Sequence, residues 1–237
     1  MSSGMPLLAI VALPFIGSLV AIFLRQDARN GAAFLAGSVA LCATVLTALQ
    51  YRAVGYGGLL RVGIEWVPSL GLDFSLRMDG FTWLFTMLVT GIGFLVALYA
   101  RYYMSPADPV PRFFAFLLAF MGAMLGIVLS GNLIQLVFFW ELTSLFSFLL
   151  IGYWHHNASA RDGARMALTV TATGGLCLFV GVLLIGHIVG SYDLDRVLAS
   201  GDRIRGSSLY LPALTIVAEC RYADTGVGAA IACGSQK

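Results

Sequence analysis

Apolar residues run almost unbroken through six stretches of this chain, and short polar segments separate them. Met5–Leu24, Gly31–Tyr51, Gly80–Ala100, Phe113–Leu129, Leu133–Tyr153 and Met166–Gly190 each come close to the ~20 apolar residues that a membrane-spanning helix needs. Leu209–Ala218 opens a seventh stretch, but after about ten residues it is too short to cross. The pattern predicts an all-α fold: a polytopic membrane helix bundle of six transmembrane helices plus an incomplete seventh.

The connections add detail. Arg52–Arg77 contains Tyr56-Gly57-Gly58 and the alternating Asp73-Phe74-Ser75-Leu76, which predict a small extramembrane β-hairpin. Pro106, Pro109 and Pro111 punctuate the third connection. Ser130-Gly131-Asn132 reads as a tight turn. The charged segment Ser191–Ser208 suits a short surface helix. Gly122-Ala-Met-Leu-Gly126 and Gly186-His-Ile-Val-Gly190 are GxxxG patterns, which let helix backbones approach closely in lipid.

Composition agrees. Hydrophobic residues make up 59% of the chain and charged residues only 11%. A soluble domain is roughly 25% charged, so this chain has too few polar groups to cover a water-facing surface. The net charge of +2 is too small to point to nucleic acid. Cys42, Cys177, Cys220 and Cys233 form no metal-ligand spacing. No cofactor fingerprint, metal motif or nucleophile elbow is present, so the chain does not read as an enzyme. The N-terminal stretch has Arg25 and Arg29 after it rather than before it, which suits a retained helix better than a cleaved signal. Basic residues near the helix ends tie at six on each side, so they do not set the orientation. The short, compact basic loops after the first, third and fifth spans favour the cytoplasmic side for that set, with the N-terminus outside.

One residue interrupts the fifth span. Glu141 lies about 12 Å along its axis. A charge near mid-bilayer costs at least ~2.5–3.5 kcal/mol, so this acid is expected to face protein or water. Ser144, at i+3, shares its face and is placed to hydrogen-bond the carboxyl group. A carboxyl group whose charge depends on a movable cation transfers protons. The plainer alternative is a neutral Glu that only links helices. Asp79 opens the third helix, where an acid favours the N-terminus and could also support a relay. His187, in the last turn of the sixth span, can satisfy terminal carbonyls or relay protons. His155 and His156, beside Trp154, suit the membrane interface.

The run from Asn132 through Phe139-Trp140-Glu141-Leu-Thr-Ser144 to Gly152-Tyr-Trp resembles the large A-type component of multisubunit Mrp-type Na+/H+ antiporters, homologous to chain 5 of respiratory complex I. Met78-Asp79-Gly80, Leu98-Tyr-Ala-Arg101-Tyr-Tyr-Met104, Arg112-Phe-Phe-Ala-Phe and Gly186-His-Ile-Val-Gly-Ser-Tyr-Asp-Leu match as well. The resemblance covers residues 5–218, with a chain-5-like part over roughly 60–110. The respiratory branch carries Thr-Arg-Val-Gly-Asp in its sixth helix, whereas Thr171-Ala-Thr-Gly-Gly175 here has neither charge.

The resemblance implies a multi-pass subunit of a Na+/H+ antiporter complex in the cell (inner) membrane. Its partners would be other subunits, the lipid bilayer, Na+ and H+, with no cofactor. Glu141 would pair with a Lys on the seventh helix. That Lys is not in this sequence, and residues 219–237 match neither the family nor a span. They read as a shifted reading frame with an early stop, which would leave the chain inactive alone. Two other readings stay open: a proton-translocating subunit of an NADH:quinone oxidoreductase, and a non-transporting fragment.

Overall fold

A computed structural model describes residues 4–25, 29–55, 57–67, 72–104, 109–153, 158–214 and 216. The expectations for Trp154, His155, His156 and the tail from 217 onward lie outside the described residues. Helices and a two-stranded hairpin are found among the described residues, and six of the helices are long and apolar enough to cross a membrane. The chain divides into two compact units: residues 1–64 with 75–130, and residues 65–74 with 131–237.

The first unit holds α1 (Met5–Ile22), α2 (Arg29–Leu49), the short α3 (Tyr51–Val54), α4 (Gly80–Tyr103) and α5 (Val110–Leu129). Its core forms around α5, the most buried span, which packs against α1, α2 and α4. Small residues set the spacing. Gly122 on α5 lies under the Phe15 ring of α1, and Gly17 of α1 lies against Val39 and Leu118. A hydrogen bond crosses between two of the spans. Trp83 Nε1 on α4 donates to the Thr47 carbonyl in the last turn of α2 (2.7 Å), and the Trp83 ring tilts against Tyr51 at 5.1 Å. The outer face of α4 exposes Phe81, Leu84, Phe85, Leu88, Ile92 and Leu95, a surface suited to lipid.

The hairpin pairs β1 (Leu60–Val67) with β2 (Leu72–Met78). A four-residue connection permits only the antiparallel arrangement. Leu76 and Met78, two residues apart, bury the same face of β2, and Leu76 bridges antiparallel to Ser130 at the end of α5.

The second unit holds α6 (Leu133–Ile151), α7 (Ala158–Val189), α8 (Leu194–Ala199) and α9 (Gly201–Arg205). α8 and α9 occupy the charged connection where one surface helix was expected. Asp193 caps α8, accepting from the amides of Asp195 and Arg196 at 2.9 and 3.3 Å. Residues 210–214 are helical.

Two sequence expectations change. α7 begins at Ala158 and runs 32 residues, about 48 Å, well past the ~30 Å apolar core. Hydropathy marks only the part of a helix in lipid, and Arg161, Asp162 and Arg165 continue it on the polar side. The second GxxxG pattern does not join two spans. Gly190 instead turns the chain out of α7 at φ 78°, its N–H donating to the Gly186 carbonyl (2.7 Å), and Gly186 lies against the Tyr192 ring that follows.

Candidate functional site

α6 and α7 form an antiparallel pair whose register can be followed from end to end. At one end Gly152 lies against Ala164. Eleven residues back along α6 (152 to 141) and eleven forward along α7 (164 to 175), Glu141 meets Gly175. At the other end the Leu133 amide donates to the Tyr192 carbonyl and the Leu194 amide donates to the Gly131 carbonyl, both at 2.9 Å. Asn132 caps α6 by accepting from the Ile134 amide (2.9 Å) and bridges antiparallel to Asp193. The loop closing the pair is therefore tied to the start of α6, and the register cannot slip.

This register puts Glu141 near the middle of the 19-residue α6. Val137, Glu141 and Ser144 follow i, i+4, i+7 spacing on one face, with Val137 and Ser144 buried and Glu141 half-buried. Oε1 of Glu141 is buried and has no hydrogen-bond partner among the described residues.

Ser144 does not bond that carboxyl group, contrary to expectation. Its hydroxyl donates to the Trp140 carbonyl one turn earlier (3.3 Å). A Ser inside a helix always has that carbonyl within reach, whereas a side chain at i−3 must adopt one particular rotamer to meet it. Thr143 also donates to Trp140 O, at 2.7 Å.

His187 is not brought to Glu141. It is exposed and lies twelve residues beyond Gly175 on the same helix, about 18 Å along its axis. Asp79 belongs to the first unit and caps α4. Its Oδ1 accepts from the Thr82 amide (2.8 Å), and its Oδ2 pairs with the Arg77 guanidinium (2.9 Å). Burial raises the Asp79 pKa, but the bonds from Thr82 and the charge of Arg77 outweigh it, and the carboxyl group titrates below its usual value. No group of three or more His, Cys, Asp or Glu that could hold a metal is found among the described residues.

Sequence reasoning missed Gly175. It was noted only as a position without charge, and nothing in the linear pattern separates it from the other 26 glycines. The antiparallel register alone selects it.

Residues 64–114 match the family model described as "NADH-Ubiquinone oxidoreductase (complex I), chain 5 N-terminus". Residues 130–218, which include Glu141, Ser144, Gly175 and His187, match "NADH:quinone oxidoreductase/Mrp antiporter, TM". The chain is 64% identical over 207 residues to the A/B component of a probable K(+)/H(+) antiporter of Rhizobium meliloti (strain 1021), covering 87% of this chain and 21% of that protein. It is 43% identical over 171 residues to the A component of a Na(+)/H(+) antiporter of Alkalihalophilus pseudofirmus, covering 71% of this chain and 21% of that one. Among solved structures, the Mrp complex from Dietzia sp. DQ12-45-1b superposes with a TM-score of 0.74 at 25% identity, over 94% of this chain and 24% of the matched chain. The chain thus spans about a fifth of the length of these curated relatives.

Proposed function

The chain belongs to the family of membrane subunits shared by NADH:quinone oxidoreductases and Mrp antiporters, and on that premise we propose that it is part of a subunit exchanging a monovalent cation for protons across the cell membrane. Glu141 is the proton-accepting group in this reading. It works within a complex of several subunits and needs no cofactor.

The observation that carries the reading is a carboxyl group halfway along a spanning helix, facing a neighbouring helix, with one buried oxygen unsatisfied among the described residues. A cation that approaches a carboxyl group favours its charged form, and withdrawal of that cation favours proton uptake. Among the described residues Glu141 has no ion-pair partner, so the cation comes from a part of the assembly beyond them. The names of the relatives carry K+ in one case and Na+ in the other, so both cations belong in the test. The same family descriptions also name NADH:quinone oxidoreductase, so the second reading is a respiratory complex. The two relatives at 64% and 43% identity favour the antiporter.

The test uses the assembled antiporter carrying this sequence, in inverted vesicles with a pH-sensitive dye. Addition of Na+ or K+ is expected to move protons, and Glu141→Gln is expected to abolish the movement while the complex still assembles. Undiminished exchange by the Gln variant removes Glu141 from the proton path. Proton movement that follows NADH oxidation and ignores both cations selects the respiratory reading.

A further inference from the structure

The space that Glu141 occupies is made by another residue. At Gly175 of α7, a side chain would begin where the Glu141 carboxyl group now sits. The three heavy atoms nearest to a Cβ built there are Oε1, Cδ and Oε2 of Glu141. We propose that Gly175 is a positioning residue for Glu141, seating the carboxyl group in the seam between α6 and α7 by carrying no side chain. The proposal rests on the reading of Glu141 as the proton-accepting group.

A glycine inside a spanning helix has an ordinary explanation: small residues let helix backbones come close. Gly122 fits it, because its neighbours are ring carbons of Phe15. Gly175 does not fit it. Its nearest neighbours include no backbone atom of α6 and no apolar side chain, only the carboxyl group of Glu141. The facing of the two positions is set by the backbone, and the Glu141 side chain lies across the space that it leaves. The Gly152–Ala164 contact and the tie between Asn132 and Asp193 set the register from both ends, and that register puts residue 175 opposite residue 141.

Gly in a helix interior is less favourable than Ala. Ala at 175 would raise the helix propensity of α7 and evict the carboxyl group. The evicted group would swing toward lipid, or the two helices would separate. In the seat, the buried oxygen stays inside the protein. Gly175 itself is buried, so the seat is closed on the α7 side. A proton or a cation must then reach the carboxyl group from its half-exposed side. In this way Gly175 orients Glu141 without exchanging protons itself.

The experiment compares Gly175→Ala with Gly163→Ala in the assembled antiporter. Residue 163 lies on the same helix and faces open space, so it adds the same methyl group without the contact. Gly175→Ala is expected to lower exchange at least tenfold and to shift the pH profile of what remains, while Gly163→Ala matches the parent. Glu141→Asp withdraws the carboxyl group by one methylene, so Gly175→Ala/Glu141→Asp is expected to exchange faster than Gly175→Ala alone.

A second readout does not need transport. The purified chain in detergent is treated with a hydrophobic carbodiimide, and the adduct at Glu141 is followed by mass spectrometry. Its rate is expected to change severalfold in Gly175→Ala and not in Gly163→Ala. Should Gly175→Ala fail to fold, Gly175→Ala/Glu141→Ala decides: restored folding shows that the carboxyl group was the obstacle, and continued misfolding makes Gly175 a packing residue and overturns the proposal. Parent-like exchange and labelling in Gly175→Ala overturn it too. If Glu141→Gln keeps exchange, the functional reading fails instead, whatever Gly175→Ala does to labelling.

Discussion

The carboxyl group of Glu141 fills the volume that any side chain at Gly175 would need. An acid at mid-span and a glycine on the facing helix are thus one structural unit. This explains how α6 keeps an acid in an apolar run while leaving it half-buried rather than facing lipid. The arrangement has a cost, since one carboxyl oxygen is out of water without a hydrogen bond among the described residues.

That cost predicts a trade between stability and function. A buried acceptor without a partner costs roughly 1–3 kcal/mol. Glu141→Leu is therefore expected to raise the unfolding midpoint of the detergent-solubilised chain, although it removes the proposed proton site. Unfolding followed by circular dichroism measures it, and a lower midpoint would show that Glu141 is satisfied in solution.

Asp79 gives a pH-dependent prediction. Its folded pKa lies below the unfolded value, so the stabilisation is fully present above the unfolded value of ~3.9 and is lost as pH falls through the folded value. Asp79→Ala is expected to cost about 1 kcal/mol at neutral pH through loss of the cap on α4. The difference from the parent should begin to shrink as pH falls below about 4. Denaturation series at pH 7 and pH 3 check both parts.

Trp83 ties α4 to the end of α2. Trp83→Phe keeps a ring near Tyr51 but removes the Nε1 bond to the Thr47 carbonyl. Bonds between spanning helices average about 0.6 kcal/mol and reach about 1.7. A loss within that range is expected in an unfolding titration. The α2 turn should keep its shape, because the Gln50 amide still donates to the same carbonyl (3.1 Å).

Gly190 ends α7 with positive φ, a conformation that costs an L-residue roughly 1–2 kcal/mol. Gly190→Ala is expected to destabilise the chain by about that amount. Gly186→Val is expected to do the same or more by displacing the Tyr192 ring. Both variants should loosen the loop that holds the register of α6 against α7. Faster amide exchange at Leu133 and Leu194, whose N–H groups bond across that loop, is the measurement.

Six spans and their approximate centres were legible in the sequence, because a bilayer imposes a long apolar run that chance rarely supplies. The hairpin was legible from its alternation and its Gly-rich approach. Helix ends were less so: α5 starts at Val110 with Pro111 inside its first turn, where a proline lacks no needed N–H, although prolines there had suggested only a break. Glu141 was legible because a single acid in apolar surroundings stands out by its desolvation cost alone. What Glu141 touches was not. Spacing put Ser144 on its face, but the hydroxyl bonds its own helix. Chemistry singled out His187, but helix rise carries it far from the site.

By itself, then, the sequence determined which segments enter lipid and which residue there is out of place, since both follow from transfer free energies that act residue by residue. Only the tertiary structure decided that Gly175 is the partner of Glu141. That pairing comes from the register of two antiparallel helices, set by contacts at their ends, and no local property of either residue encodes it. An α6–α7 register shifted by one turn would leave every apolar run unchanged and undo the site.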